Sequence, residues 1–261
     1  GNVFWSAPNN YYIVNLPTMG ASSPIQVPKY DDRKWRGELY GRKTLPNYPT
    51  STNTGVSIIN SAGHTGNNCL GITSLTGSKF TQARLALKAD KEYQISGWFS
   101  TPNNAMLQTN FNSLFLTPMK LEFLDQSGNL LSGFTKTYTE KEILQGSFIE
   151  DWQKFTINFT MPLGAAYVVL VLPTSQEVYD ETTQEYTQIA YYDDIRIQPR
   201  DAAMTSYVYN TENQRLEAQL DDNNYATFYY YDDQGNLFLV KRETEKGIIT
   251  VQESRAYLRK N

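Results

Sequence analysis

From Lys91 onward apolar and polar positions alternate with the period of two that a half-buried strand requires. Tyr93, Ile95, Gly97 and Phe99 fall on one side, and Gln94, Ser96, Trp98 and Ser100 on the other. This pattern sends Trp98 outward among polar neighbours. Met119, Leu121 and Phe123 alternate with Lys120 and Glu122 until Asp125, Gln126, Ser127, Gly128 and Asn129, a turn-forming cluster from which a hairpin is expected to return through Leu130 and Leu131. Phe155, Ile157, Phe159 and Met161 alternate with Lys154, Thr156, Asn158 and Thr160, and Pro162 and Gly164 break that strand. The continuous apolar run over residues 168–172 reads as a strand buried on both faces. One helix is predicted: Thr139 and Glu142 have capping-box spacing, and Gly146 is expected to stop the helix after about two turns. Glu177, Asp180, Glu181 and Glu185 form a polar hairpin tip, Ile189 to Ile197 form the next strand, and Pro199 closes the first unit.

Residues 1 to about 60 lack this regularity. They mix Pro, Gly, Asn and Ser with aromatics such as Trp5, Trp35 and Tyr40, which predicts short strands joined by long loops. The 261 residues suffice for a sandwich-sized core plus something smaller. With 19 Tyr and 12 Phe among Val, Ile and Thr, strand is favoured over helix. A net charge of −4 spread along the chain supplies no basic field for nucleic acid. The single cysteine, Cys69, allows no intrachain disulfide and reads as a small core residue. No apolar run approaches the roughly 20 residues of a membrane span. The chain begins Gly1-Asn2-Val3 without an initiator Met, which reads as a chain whose signal peptide has been removed.

Three stretches in order carry a family likeness: Gly63-His64-Thr65-Gly66, the strand from Leu87 to Trp98, and Asp151-Trp152 running to Asp193-Asp194-Ile195-Arg196-Ile197. Their order and spacing resemble the jelly-roll carbohydrate-binding modules of bacterial polysaccharide-degrading and surface proteins. The resemblance implies an antiparallel jelly-roll β-sandwich, an extracellular or cell-surface location and a glycan as partner. Period two in the last strand puts Tyr191, Asp193, Ile195 and Ile197 on one face and Tyr192, Asp194, Arg196 and Gln198 on the other. Asp193 then lies on the apolar face, where a carboxylate must accept backbone N–H groups, pair with a cation or bind metal. In the resembling modules an acidic residue at this place often helps hold a structural calcium. Asp193 and Asp194 are therefore candidate calcium ligands, with a hydrogen-bonded core aspartate as the other reading. His64, the one histidine, is expected to pack or cap a strand end.

A second likeness lies in the last sixty residues. Tyr229-Tyr230-Tyr231-Asp232-Asp233-Gln234-Gly235-Asn236-Leu237 resembles the YD repeat of Rhs-type surface and toxin-shell proteins, Tyr-x-Tyr-Asp-x-x-Gly-Arg-Leu, with Asn236 in place of Arg. An earlier copy, Tyr207-Val208-Tyr209-Asn210 to Arg215-Leu216, departs further, with Asn210 for Asp, Asn213 for Gly and one extra residue. The resemblance implies a strip of β-hairpins over 200–261 after a sandwich over 1–199. Repeats this few must lean on the sandwich or cap a longer array.

The sequence around His64 supplies no nucleophile elbow and no Cys partner, and no phosphate loop or dinucleotide fingerprint occurs. Glu122, Glu150, Asp151, Asp193 and Asp194 offer carboxylates, but no pattern links them as a glycosidase pair. The expectation is a non-catalytic, monomeric carbohydrate-binding piece of a larger surface protein. The alternative is a structural or adhesive spacer, or the terminal piece of an Rhs-like protein, with no sugar ligand. Candidate sugar contacts are Trp98, Tyr192, Trp35, Tyr40 and Glu122, because exposed rings stack on sugar faces while polar side chains bond hydroxyls.

Overall fold

The computed structural model describes residues 3–5, 12–13, 55–60, 63–73, 78–101, 114–180, 185–210 and 212–254. Trp35 and Tyr40 lie outside them. In chain order the first strands are β1 (Val3–Trp5), β2 (Tyr12–Ile13), β3 (Val56–Asn60), β4 (Asn68–Ile72), β5 (Ser78–Ala86), β6 (Glu92–Ser100) and β7 (Met119–Leu124). Then come β8 (Lys136–Tyr138), the helix α1 (Glu140–Ile143), β9 (Leu144–Ile149), β10 (Trp152–Thr160) and β11 (Tyr167–Leu172). The short strands β12 (Val178–Asp180) and β13 (Glu185–Thr187) precede the long β14 (Ala190–Pro199). The chain continues with β15 (Ser206–Tyr209), β16 (Leu216–Leu220), β17 (Ala226–Tyr231), β18 (Leu237–Thr244) and β19 (Gly247–Glu253).

These strands make an all-β, antiparallel jelly-roll sandwich. One sheet runs β2-β1-β14-β6-β10-β9, with β4 also pairing β14 and β3 pairing β4; the other runs β5-β11-β7-β8. Between them lies the main core, including Ile95, Phe99, Leu121, Phe123, Phe155, Ile157, Leu170 and Ile197. The alternation in β6, β7 and β10 puts Ile95, Phe99, Leu121, Phe123, Phe155 and Ile157 there, as the sequence indicates. Gly97 is the small residue this core requires, since a Cβ would meet Phe155 at 2.6–2.7 Å and Ile195 at 3.0 Å.

Two local expectations change. The capping box of Thr139 and Glu142 forms, but α1 is a single turn, and the chain passes straight into β9, with Gly146 at φ 67 inside a strand. Pairing of β9 with β10 outweighs the helical signal of so short a segment. The hairpin after β7 makes only a bridge from Leu124 to Leu130; the paired return strand is β8.

The last five strands form a separate meander, β15-β16-β17-β18-β19. Directly opposed residues in antiparallel pairs share a face. One face carries Val208, Ala218, Leu220, Ala226 and Phe228, which pack together. On the same face Glu243 lies opposite Ile248, and Ile248 packs against Trp98, Cys69, Ile149 and Trp152 of the sandwich. The meander is thus a third layer, lying over the outer side of the larger sandwich sheet.

Candidate functional site

The two layers meet at His64. Its turn, Gly63 to Gly66, precedes β4; Gly66 has φ 72, a conformation that costs other residues a Cβ clash. The imidazole lies flat on the Trp98 indole, centroids 4.1 Å apart at 17°, with Trp152 and Phe228 edge-on. Nδ1 is 2.8 Å from Asp194 Oδ2 and Nε2 is 3.0 Å from Glu243 Oε1. The side chains of all three are nearly inaccessible. Burial pulls the imidazole pKa down, but the Glu243 charge and the hydrogen bonds to Asp194 and Glu243 carry it up to about 10. His64 is therefore an imidazolium at neutral pH, donating from both nitrogens. Neither nitrogen is left to accept a proton from a substrate.

The acidic pair is placed by an irregularity in β14. Pairing with β6 shifts register between Asp193 and Arg196, and Asp194 has φ 46. This bulge reverses the in-out order, so Tyr192 and Ile195, three residues apart, both enter the main core. Asp193 accepts the backbone N–H groups of His64 at 2.9 Å, Thr65 at 3.3 Å and Asp194 at 2.8 Å. Asp194 accepts the Thr65 hydroxyl at 2.8 Å as well as the His64 ring. Burial, followed by the Asp194 charge, raises the Asp193 carboxyl well above the usual carboxylate range. These protein donors engage the carboxylates considered for calcium, and among the described residues no cluster of three or more His, Cys, Asp or Glu is arranged to hold a metal ion.

Two sequence expectations are corrected here. Trp98 does point away from the main core, but it is 0% exposed because the C-terminal sheet covers it, and its indole N–H donates to the Asn224 carbonyl at 2.8 Å. Tyr192, expected on the polar face, is also 0% exposed; the bulge turns it into the core, where its hydroxyl donates to the Pro173 carbonyl at 2.8 Å. Neither ring leaves a face for a sugar. Glu122 is half-buried on β7 in the opposite sheet, level with Val169, and is not brought together with the others. Cys69 is buried beside Trp98, its thiol pushed up to about 12 by burial and then the Asp193 charge.

Sequence reasoning missed Asn224 and Glu243. Asn224 donates its side-chain N–H to the Asp194 carbonyl at 3.0 Å, and Glu243 accepts the Ala226 N–H at 3.0 Å besides holding His64. The only available signal for Glu243 was its place in β18, an acid at a position whose alternation points inward. It also missed the outer face of the third layer. Register puts Tyr207 opposite Gln219 and Gln219 opposite Thr227, and Tyr229 and Tyr231 continue that side of β17. Tyr229 donates to Gln219 Oε1 at 3.4 Å, and its phenol is raised by burial and by the nearness of Tyr231 and Tyr207. Tyr207 is 43% exposed.

No protein-family model matches the chain, and no curated protein matches it. Among solved structures it is similar to the CBM22-1 and GH10 modules of a Clostridium thermocellum endo-1,4-beta-D-xylanase complexed with xylohexaose: 13% identity, TM-score 0.37, over 57% of this chain and 25% of that one. A family 16 carbohydrate-binding module aligns at 14% identity and TM-score 0.35, over 59% of this chain and 92% of the module. The tandem CBM22 modules of a Paenibacillus barcinonensis xylanase align at 11% identity and TM-score 0.34, over 78% and 77%. The chain thus spans about a quarter of the first of these proteins. Overlap at these scores is too loose to carry a ligand or a binding residue across.

Proposed function

We propose that this chain is a non-catalytic carbohydrate-binding module of a larger extracellular or cell-surface protein, with a sandwich over 1–199 and a YD-repeat-like meander over 200–261. The observation that supports it is the row Tyr207, Tyr229 and Tyr231 on the outer face of the third layer, with the Gln219 amide between rings. Arg215 stands 5.6 Å from the Tyr231 ring. Adjacent phenol rings on one sheet face offer stacking surface to pyranose faces, and the amide and guanidinium offer hydrogen bonds to hydroxyls. The role assigned at first to Trp98 and Tyr192 passes to these tyrosines.

The test is a screen of the purified chain on a broad glycan array beside Tyr207→Ala and Tyr229→Ala, with far-ultraviolet circular dichroism to confirm that both variants fold. A specific signal lost in both variants supports the reading. A blank array for the parent chain favours the second reading, a structural spacer without sugar ligand. The observation behind that alternative is the burial of Trp98 and His64 under the third layer, which spends the sandwich's best aromatic surface on internal cohesion.

A further inference from the structure

Beside the His64 clamp, the space between the sandwich and the third layer holds a guanidinium that its surroundings do not complete. Arg196 is 3% exposed. Its Nη1 donates to the Met204 carbonyl at 3.4 Å, while Nε and Nη2 have no hydrogen-bond partner among the described residues. Those two nitrogens form one edge of the planar group, the edge that grips two oxygens of one anion side by side. Asp194, Asp221 and Asp222 favour the charge electrostatically, yet none bonds to that edge. Asp194 is already taken by His64 and Thr65, and Asp221 by the N–H groups of Asn223 and Tyr225.

Two hydroxyls share this layer. Thr156 lies in the cross-strand row Thr156, Ser96, Arg196, and Ser206 lies opposite Leu220 on the sandwich-facing side of β15, two residues beyond Met204. Both Oγ atoms are buried without a partner. Lys154 adds a second cation. It is buried, sits 4.4 Å from the Tyr225 ring centroid, and has its pKa lowered by burial and then by the Arg196 charge. Unpaired donors and neighbouring cations are costly inside a protein unless an acceptor meets them.

We propose that this interlayer site binds one small oxyanion of the phosphate or sulfate class, gripped by the Nε and Nη2 edge of Arg196 and by the hydroxyls of Thr156 and Ser206. The anion ties the sandwich to the meander and is independent of any sugar on the outer face.

The test uses the full chain, dialysed exhaustively and then titrated with sodium phosphate, sodium sulfate or sodium chloride at matched ionic strength. Thermal unfolding and native mass spectrometry provide the readouts. Expected are a saturable rise in midpoint with phosphate or sulfate but not chloride, and one retained oxyanion per chain. Arg196→Lys keeps the charge and removes the two-nitrogen edge, so affinity should fall about tenfold or more, the equivalent of ~1.4 kcal/mol. Thr156→Val preserves shape, removes one donor and should weaken binding less; it serves as the readout should Arg196→Lys not fold. Midpoints that follow ionic strength alone, with no oxyanion retained, would overturn the proposal and leave the hydroxyls to internal water. Saturable binding unchanged in both variants would overturn it equally.

Discussion

Glu243 joins two layers through one carboxylate: one oxygen takes the His64 ring, the other the Ala226 N–H. Glu243→Ala strands a buried imidazolium with a single partner and leaves an amide unbonded. Its cost should be about 3–5 kcal/mol, the range for breaking a buried pair from one side, measured by urea unfolding. His64→Leu with Glu243→Leu removes both charges together and should cost distinctly less, although Asp194 then loses a donor. Individual residues were only partly legible in the sequence. The alternation placed Trp98 on the correct side of β6 and marked Asp193 as a carboxylate in need of partners. It could not show that another layer would cover Trp98, because burial by a distant segment leaves no periodicity in the strand being buried.

The hairpin turns recur as one design with different endings. Asp125, Asp221 and Asp232 each accept backbone N–H groups from the residues that follow, and the fourth position of each turn has positive φ: Gly128, Asn224 and Gly235. Glycine is the easy occupant of that position. Asn224 stands there because its side chain reaches the Asp194 carbonyl. Asn224→Gly should therefore destabilise the chain by about 1 kcal/mol despite the easier backbone. Amide hydrogen exchange in β17 and β18 should rise with it, and an unchanged exchange pattern would deny the latch. The turn after Asn210 is one residue longer than that after Asp232: Gln214 donates to the Asn210 carbonyl and takes the positive φ. Strand identities were legible because the period of two survives in most strands. The bulge at Asp193 and Asp194 was not, since one additional residue reverses facing without altering composition. The turn at Asp221 and the strand β19 were missed because neither matches the YD-like pattern that drew attention to their neighbours.

Across the whole molecule, the clamp ties stability to pH. His64 is raised from 6.5 to about 10, so the folded chain keeps a proton that the unfolded chain releases near 6.5. Its contribution is complete below 6.5 and drains away as pH climbs to about 10. Asp193, also raised, acts in the same direction. The unfolding midpoint should fall steadily from neutral pH toward pH 10, and His64→Gln should flatten that slope; an equal slope in the variant would remove His64 as its source. Calcium should leave the midpoint unmoved, because the Asp193 and Asp194 oxygens already accept from protein donors. A saturable rise with calcium would restore the metal reading.

The meander's strands neighbour one another in chain order, ending at β19. A pull on β19 away from the sheet would load its hydrogen bonds one after another, like a zipper, and peel it at low force. The next strand, β18, carries Glu243, where the load would reach the His64 clamp and then the Asn224 latch nearly at once. The edge strand β19 should therefore part before β18, taking the Ile248 contact with the sandwich along, and Glu243 and Asn224 should resist next.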